Sequence, residues 1–322
     1  MLIETPKRIH MGIIDPTGEL GRKFGGMGVA VEGGYRIRVT PSSSLRIEAG
    51  NEDRETIEWA IKKMNSKFET GTSYRIEVLR SIPRHRGLGS TTQLSLAVGV
   101  AISRLTGLKL SVEEIAEALG RGKNSGVGIY AFKVGGFVVD GGVKNGLPPL
   151  IVRHEFPEEW ALLLITPHLR PGFDEREEEP IMESTKGDPK AAMEISRTLI
   201  MGLLPALVER NIAEFGKHLT AIQRLVGRHF SEHQGGEFRE DVKLILDFLS
   251  RETYGYGQSS WGPTVYGLIH REDGEELASR ARDYLKEHGI EGTVEIGVPR
   301  NRGAEIIQES SFIERIIKEA GK

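Results

Sequence analysis

The chain has 322 residues, of which 38% are hydrophobic and 28% charged, with a formal net charge of −3. That is the composition of a globular protein long enough for two domains, and its charge gives no electrostatic case for nucleic acid as the main partner. The absence of cysteine excludes disulfides, thiolate nucleophiles and cysteine metal sites. The start MLIETPKRIH has no signal-like apolar run and no stretch reads as a membrane span, so a cytoplasmic chain is expected.

Residues 8–40 are glycine-rich and strand-like. Ile9, Met11 and Ile13 alternate with His10 and Gly12, and Asp15-Pro16-Thr17-Gly18 reads as a turn. Val29–Val31 and Tyr35–Val39 read as two more strands, with Gly33-Gly34 between them as a hairpin signal. Asp15, Glu19, Arg22 and Lys23 cluster by spacing. Such a cluster is commonly a solvated turn; the alternative is a carboxylate and a cation at the mouth of a phosphate site.

Residues 52–68 form an amphipathic helix with Ile57, Ala60, Ile61 and Met64 on one face. A strand over Tyr74–Leu79 leads to Pro83-Arg84-His85-Arg86-Gly87-Leu88-Gly89-Ser90-Thr91-Thr92-Gln93, which opens a helix over 94–105 that is apolar nearly all round. Two glycines allow close backbone approach, the helix start offers free N–H groups and a favourable dipole, and Ser90, Thr91, Thr92, Arg84 and Arg86 add donors. This is an anion site or, equally on these residues, a plain glycine turn capped by Ser90. It is not a Walker loop, because no Lys-Ser or Lys-Thr follows the glycines.

Ser111-Val112-Glu113-Glu114 is a capping box, with Gly120 ending its helix. In residues 120–142, Gly122, Lys123, Asn124, Ser125 and Gly126 read as a second anion or substrate loop. Asp140 follows a buried-looking strand, Phe137–Val139, and is either a catalytic carboxylate or a turn Asp before Gly141-Gly142. Leu147-Pro148-Pro149-Leu150 marks a junction, which divides the chain into domains at 1–155 and 156–322.

Trp160–Ile165 reads as a strand buried on both faces. RPGFDEREEEP reads as a mobile surface loop with Glu177-Glu178-Glu179 a solvated face, Arg176 being the residue able to meet an anionic ligand. Helices are expected over 189–209, with an interruption near Pro205, and over 210–226 and 238–250. His229-Phe230-Ser231-Glu232-His233 spells an inverted zinc-peptidase pattern, but Gly235-Gly236 follows at once, so it reads as a polar loop. A glycine-rich turn containing Ser259 and Ser260 enters a strand at Val265–Ile269, followed by a helix over 275–288 and a strand over Thr293–Val298. The order predicts an α+β sandwich for the second half.

With these pieces in order the chain resembles the GHMP kinase superfamily, through its N-terminal glycine-rich strands, PRHRGLGSTTQ and GQSSWGPTVYG. The resemblance implies an N-terminal domain like the second domain of a small-subunit ribosomal protein and a ferredoxin-like C-terminal domain, with the phosphate loop between them. Within the superfamily it is most similar to the archaeal β-ribofuranosylaminobenzene 5′-phosphate synthases, through RIHMGIIDPTGELGRKFGGMGVAVE, GLGSTTQLSLAVG, SGVGIYAFKVGGFVVDGG and SSWGPTVYG. Lys123-Asn124 and Val143 depart from that pattern, which has Gly-Thr and His there.

This resemblance implies condensation of phosphoribosyl pyrophosphate with 4-hydroxybenzoate or 4-aminobenzoate, releasing carbon dioxide and pyrophosphate, on the way to methanopterin-type cofactors. It implies Mg²⁺ and a homodimer, with no ATP. Asp15 would stabilise the ribosyl cation or bind Mg²⁺, and Arg22 would hold a phosphate or the arene carboxylate. Arg84, Gly87, Leu88, Gly89, Ser90, Thr91 and Thr92 would hold pyrophosphate, joined by Ser259 and Ser260 of the late turn. Gln93 would orient the ribose or the loop, and Ser125, Gly126 and Asp140 would shape the arene side. The competing readings are an ATP-dependent kinase acting on a sugar or polyol, and a ligand-binding homologue without turnover.

Overall fold

The computed structural model describes residues 1–173 and 175–307. The first half contains β1 (Leu2–Glu4), β2 (Lys7–Asp15), β3 (Phe24–Val31), β4 (Arg36–Pro41), β5 (Arg46–Glu48), α1 (Asn51–Phe68), β6 (Tyr74–Arg80), α2 (Ser90–Leu105), α3 (Val112–Ala118), α4 (Val127–Val134), β7 (Phe137–Asp140) and β8 (Leu150–His154). The second half contains β9 (Trp160–Pro167), α5 (Glu175–Ser184), α6 (Pro189–Thr198), α7 (Leu204–Val208), α8 (Ile212–His229), α9 (Ser231–Gln234), α10 (Lys243–Glu252), β10 (Gly255–Gln258), β11 (Val265–His270), α11 (Gly274–Glu287), β12 (Gly292–Gly297) and β13 (Glu305–Ile307).

Three sheets result, ordered β13-β1-β4-β6-β5, β2-β3-β7-β8 and β10-β11-β9-β12. In the third, β9 lies between β11 and β12 and every pairing is antiparallel. With helices between β9 and β10 and α11 between β11 and β12, this is the expected ferredoxin-like arrangement. The unalternated run of β9 is buried along its whole length. Both bonds of the Ser111–Glu114 capping box form.

Four expectations are corrected. Gly33-Gly34 does not close a hairpin: β3 pairs with β2 and β7, whereas β4 pairs with β1 and β6. At Gly34 the chain crosses between sheets so close to Thr5 and Pro6 that a Cβ would collide with their carbonyl oxygens. The acidic stretch after Phe173 is helix α5 rather than a loop, because Met182 is buried with Phe24, Phe230 and Trp261 and fixes the segment. The side chain of Arg176 lies outside the described residues. The 229–233 stretch is not a loop: His229 ends α8, its Nδ1 accepts the Asp188 N–H, and α9 follows.

The fourth correction is that one span-like run exists: Pro189–Val208 is by length and composition apolar enough to cross a bilayer, with 44% of it buried. Ala191, Ala192, Ile195, Leu199, Leu203, Ala206 and Leu207 are buried, and the run packs on β2 and α8, as a core helix does. A π-helical turn at Leu199–Leu203 immediately precedes Pro205. Proline cannot donate to the helix ladder and crowds the carbonyl four residues back, so the widened turn is its local accommodation.

The chain after β12 returns to the first half. β13 pairs with β1, and Arg300, 2% exposed, gives its guanidinium to Glu32 (2.6 Å) and to the Gly303 carbonyl (3.1 and 3.2 Å). Its backbone bonds Ala30 and Gly136. Arg300→Ala removes hydrogen bonds to a carboxylate and a buried carbonyl, so it should lower stability by about 3 kcal/mol. The check is a lower urea midpoint with an unchanged slope.

Candidate active site

The site begins with β2. A bulge between His10 and Gly12, where Gly12 has φ +135°, shifts the register against β3 and re-aims the strand. Arg8, His10, Gly12 and Ile13 thereby line a cavity of about 330 Å³ between the two halves. Helix α8 closes it from the other side. The Gln223 amide of α8 donates to the Met11 carbonyl (2.7 Å) and accepts from Gln258 N–H (2.8 Å), tying β2 to β10.

The cavity has two unlike walls. One is apolar and aromatic, with Ile13, Val226, Phe230, Phe238 and Trp261. Phe230 and Phe173 both meet Trp261 edge-on, at 4.9 and 5.2 Å between ring centres. The other wall carries Arg8, Arg121, Lys123, Thr92 and Ser125. Burial lowers the Arg8 guanidinium to about 10, against the pull of Glu178. Arg121 is lowered to about 10 by burial and then by Arg84, and it stacks on Trp59 at 4.6 Å. Both remain cationic at neutral pH.

The glycine loop stands beside this wall. Gly89, left-handed, is the N-cap of α2 and no side chain caps the helix, so its first N–H groups and dipole are offered forward. Arg8 lies across it: a Cβ on Gly89 would come within 3.2 Å of the Arg8 Nε, which is buried and without a partner. Gly87 has φ +85°, and its carbonyl accepts Ser259 Oγ–H at 2.6 Å. A Cβ there would strike the Ser259 carbonyl, so the loop and the late turn meet backbone to backbone.

His10 is neutral by construction. Its Nδ1 accepts Gly12 N–H (3.3 Å), leaving Nε2–H to face Ser125 Oγ (3.3 Å), which in turn donates to Asp140 Oδ2 (3.0 Å). Burial first, then the Arg8 charge, pushes its pKa down to about 3.

The sequence-predicted residues separate into groups. Thr92, Ser125 and Ser260 reach the cavity, Ser260 from a left-handed φ of +53°. Gly87, Gly89, Ser90 and Thr91 build the helix start, Ser90 being buried. Leu88 and Gln93 are also buried, and the Gln93 amide is spent on the Gly128 carbonyl at 2.8 Å. Ser259 is fully buried as a clamp, accepting His10 N–H at 3.0 Å.

Asp140 is fully buried, accepting from Ser125, Gly126 N–H (2.8 Å), Gly142 N–H (3.0 Å) and Gly26 N–H. Burial raises its pKa against those bonds. It positions the Ser125 loop instead of touching a ligand. Arg84 turns away to Thr56 (2.6 Å), beside the Tyr35–Asp53 hydrogen bond. Asp15 and Arg22 are not on the cavity wall: Asp15 Oδ1 holds Thr17 N–H and Oγ–H, and Arg22 donates to the Gly142 carbonyl.

Sequence reasoning missed Arg8, His10, Arg121 and Glu178. For the first two a signal existed, since positions 8 and 10 share the polar face of an alternating strand. Among the described residues no group of three or more His, Asp or Glu is placed to hold a metal ion. The cavity acids are Glu178, Glu179 and Glu237.

Fold and site together define a class. Models of the GHMP kinases N-terminal and C-terminal domains match residues 55–136 and 203–289. Solved structures agree in fold: a mevalonate kinase superposes with a TM-score of 0.68 at 18% identity over 94% of this chain and all of that one. The Listeria monocytogenes homoserine kinase gives 0.63 at 20% identity over 96% and 99%. Within this class the sequence relatives are more specific. The β-ribofuranosylphenol 5′-phosphate synthase of Archaeoglobus fulgidus is 38% identical over 94% of this chain and 98% of its own length. That of Methanocaldococcus jannaschii is 32% identical over 95% and 100%. The chain belongs to the β-ribofuranosylphenol 5′-phosphate synthase family of the GHMP kinase superfamily.

His10 makes a pH prediction. Its folded pKa lies below the unfolded 6.5, so the unfolded chain binds the extra proton between pH 6.5 and about 3, and stability falls as pH drops through that window. From pH 7 to pH 5 the loss from this group is about 2 kcal/mol. Urea titrations at the two pH values check it, and His10→Asn should flatten the difference.

Proposed function

We propose that this chain condenses phosphoribosyl pyrophosphate with 4-hydroxybenzoate, releasing carbon dioxide and pyrophosphate and leaving a β-ribofuranosylphenol 5′-phosphate. The observation that carries the reading is the mixed lining of one cavity, with the aromatic side chains Phe230, Phe238 and Trp261 and the cationic side chains Arg8, Arg121 and Lys123. A flat aromatic acid and a multiply charged sugar phosphate need both kinds of side chain in one cavity. The product in the relatives' names contains both parts, and its phenol favours 4-hydroxybenzoate over 4-aminobenzoate.

In this reading Arg8 and the start of α2 hold pyrophosphate, with Mg²⁺ carried by the substrate supplying charge neutralisation. Arg121 and Lys123 take the remaining anionic group. The aromatic wall seats the arene with its carboxyl-bearing carbon toward ribose C1. Neutral His10, its one N–H directed to Ser125 and through it to Asp140, adds no positive charge beside the forming cation.

Carboxyl-labelled 4-hydroxybenzoate should release carbon dioxide only when phosphoribosyl pyrophosphate and Mg²⁺ are both present, and 4-aminobenzoate should release less. Arg8→Ala should raise KM for phosphoribosyl pyrophosphate by about tenfold or more, the usual worth of a hydrogen bond to a charged group. Absence of release from either acid by folded protein would overturn the reading.

A further inference from the structure

The reaction proposed above leaves one chemical demand without a residue, and the assignment of a residue to it rests on that reaction. As the bond from C1 to pyrophosphate oxygen breaks, its electron pair leaves with pyrophosphate, and C1 and the ring oxygen carry positive charge. The arene carbon then bonds to C1, the bond to the carboxylate breaks, and its electron pair restores the ring as carbon dioxide departs. A fixed carboxylate near C1 lowers the energy of the cationic stage.

The acids near the site among the described residues can be taken in turn. Asp15 is off the wall with one oxygen held by Thr17. Asp140 has no exposed surface. Glu179 is paired with Lys123 at 2.9 Å and Glu237 with Arg228 at 2.9 Å, both in exposed ion pairs. Glu178 differs. It lines the cavity, lies within electrostatic reach of Arg8, and is held by the Trp261 indole and the Asn124 amide. One of its neighbours thus belongs to the aromatic wall and another to the cationic wall, which is the border where the arene carbon and C1 must meet.

We propose that Glu178 is the catalytic carboxylate that faces ribose C1 as pyrophosphate leaves. Asn124 then orients that carboxylate, and Lys123 fastens the same helix through Glu179.

The test is steady-state carbon dioxide release by Glu178→Gln, with Glu183→Gln, an exposed residue of the same helix, as control. Glu178→Gln should lower kcat by about a hundredfold, as loss of one preorganised electrostatic group does. Both KM values should stay within about twofold of wild type, and Glu183→Gln should match wild type. Unchanged kcat would overturn the assignment. So would a fall in KM for phosphoribosyl pyrophosphate at unchanged kcat, which would make Glu178 only a counter-ion that the substrate displaces. If Glu178→Gln does not fold, Glu178→Asp decides: reduced kcat at wild-type KM supports the role, and wild-type kcat removes it. A wild-type protein inactive on both acids would instead remove the reaction, whereas active wild type with unimpaired variants removes Glu178 alone.

Discussion

One hydroxyl holds the site together. Ser259 Oγ accepts the His10 N–H and donates to the Gly87 carbonyl, and so joins the first long strand, the glycine loop and the turn between β10 and β11. These segments come from three distant parts of the chain, and none carries the cavity by itself. The hydroxyl is fully buried, where an unmatched donor or acceptor costs about 1–3 kcal/mol. The contact therefore demands glycine at 87, because any side chain there would meet the Ser259 carbonyl. Glycine at 262 answers a similar demand against the Arg86 backbone.

From that junction the charge distribution follows. β2 brings Arg8 beside the uncapped start of α2, so a guanidinium and a helix dipole favour the same anion. Arg8 is a buried cation, a costly arrangement that an anionic ligand would make more favourable. Lys123 and Asn124, of the second glycine-rich loop, are engaged with Glu179 and Glu178 of α5. Val143 pairs with Lys23 through the backbone, so its side chain is not what holds that bridge.

Much of the fold was legible because it rests on local patterns. Alternation gave β2 and β6, the apolar stripe gave α1, and the Ser111–Glu114 spacing gave the start of α3. Element order was enough for an α+β sandwich in the second half, and the resemblance supplied its ferredoxin-like form. The hairpin at Gly33-Gly34 failed because the glycines serve a crossing between sheets, and only the tertiary structure brings Thr5 and Pro6 there. The acidic run misled in the same way: its charge suggests solvent, whereas burial of Met182 turns it into a helix that delivers Glu178 to the cavity. In the site, the glycine loop and Ser125 were readable from spacing. The direction in which Arg84 turns, and the re-aiming of Arg8 and His10 by a bulge, depend on packing that no spacing encodes.

The two walls, in the proposed reaction, bring C1 of a ribosyl donor against a carbon of the arene. The most direct measurement of that contact is carbon-13 NMR of the product formed from phosphoribosyl pyrophosphate labelled at ribose C1 and 4-hydroxybenzoate labelled at its carboxyl-bearing ring carbon. The expected result is a one-bond carbon–carbon coupling between the two labels, with the carboxyl group gone. A product in which C1 remains bonded to oxygen, or phosphoryl transfer from ATP with both labels unchanged, would contradict it.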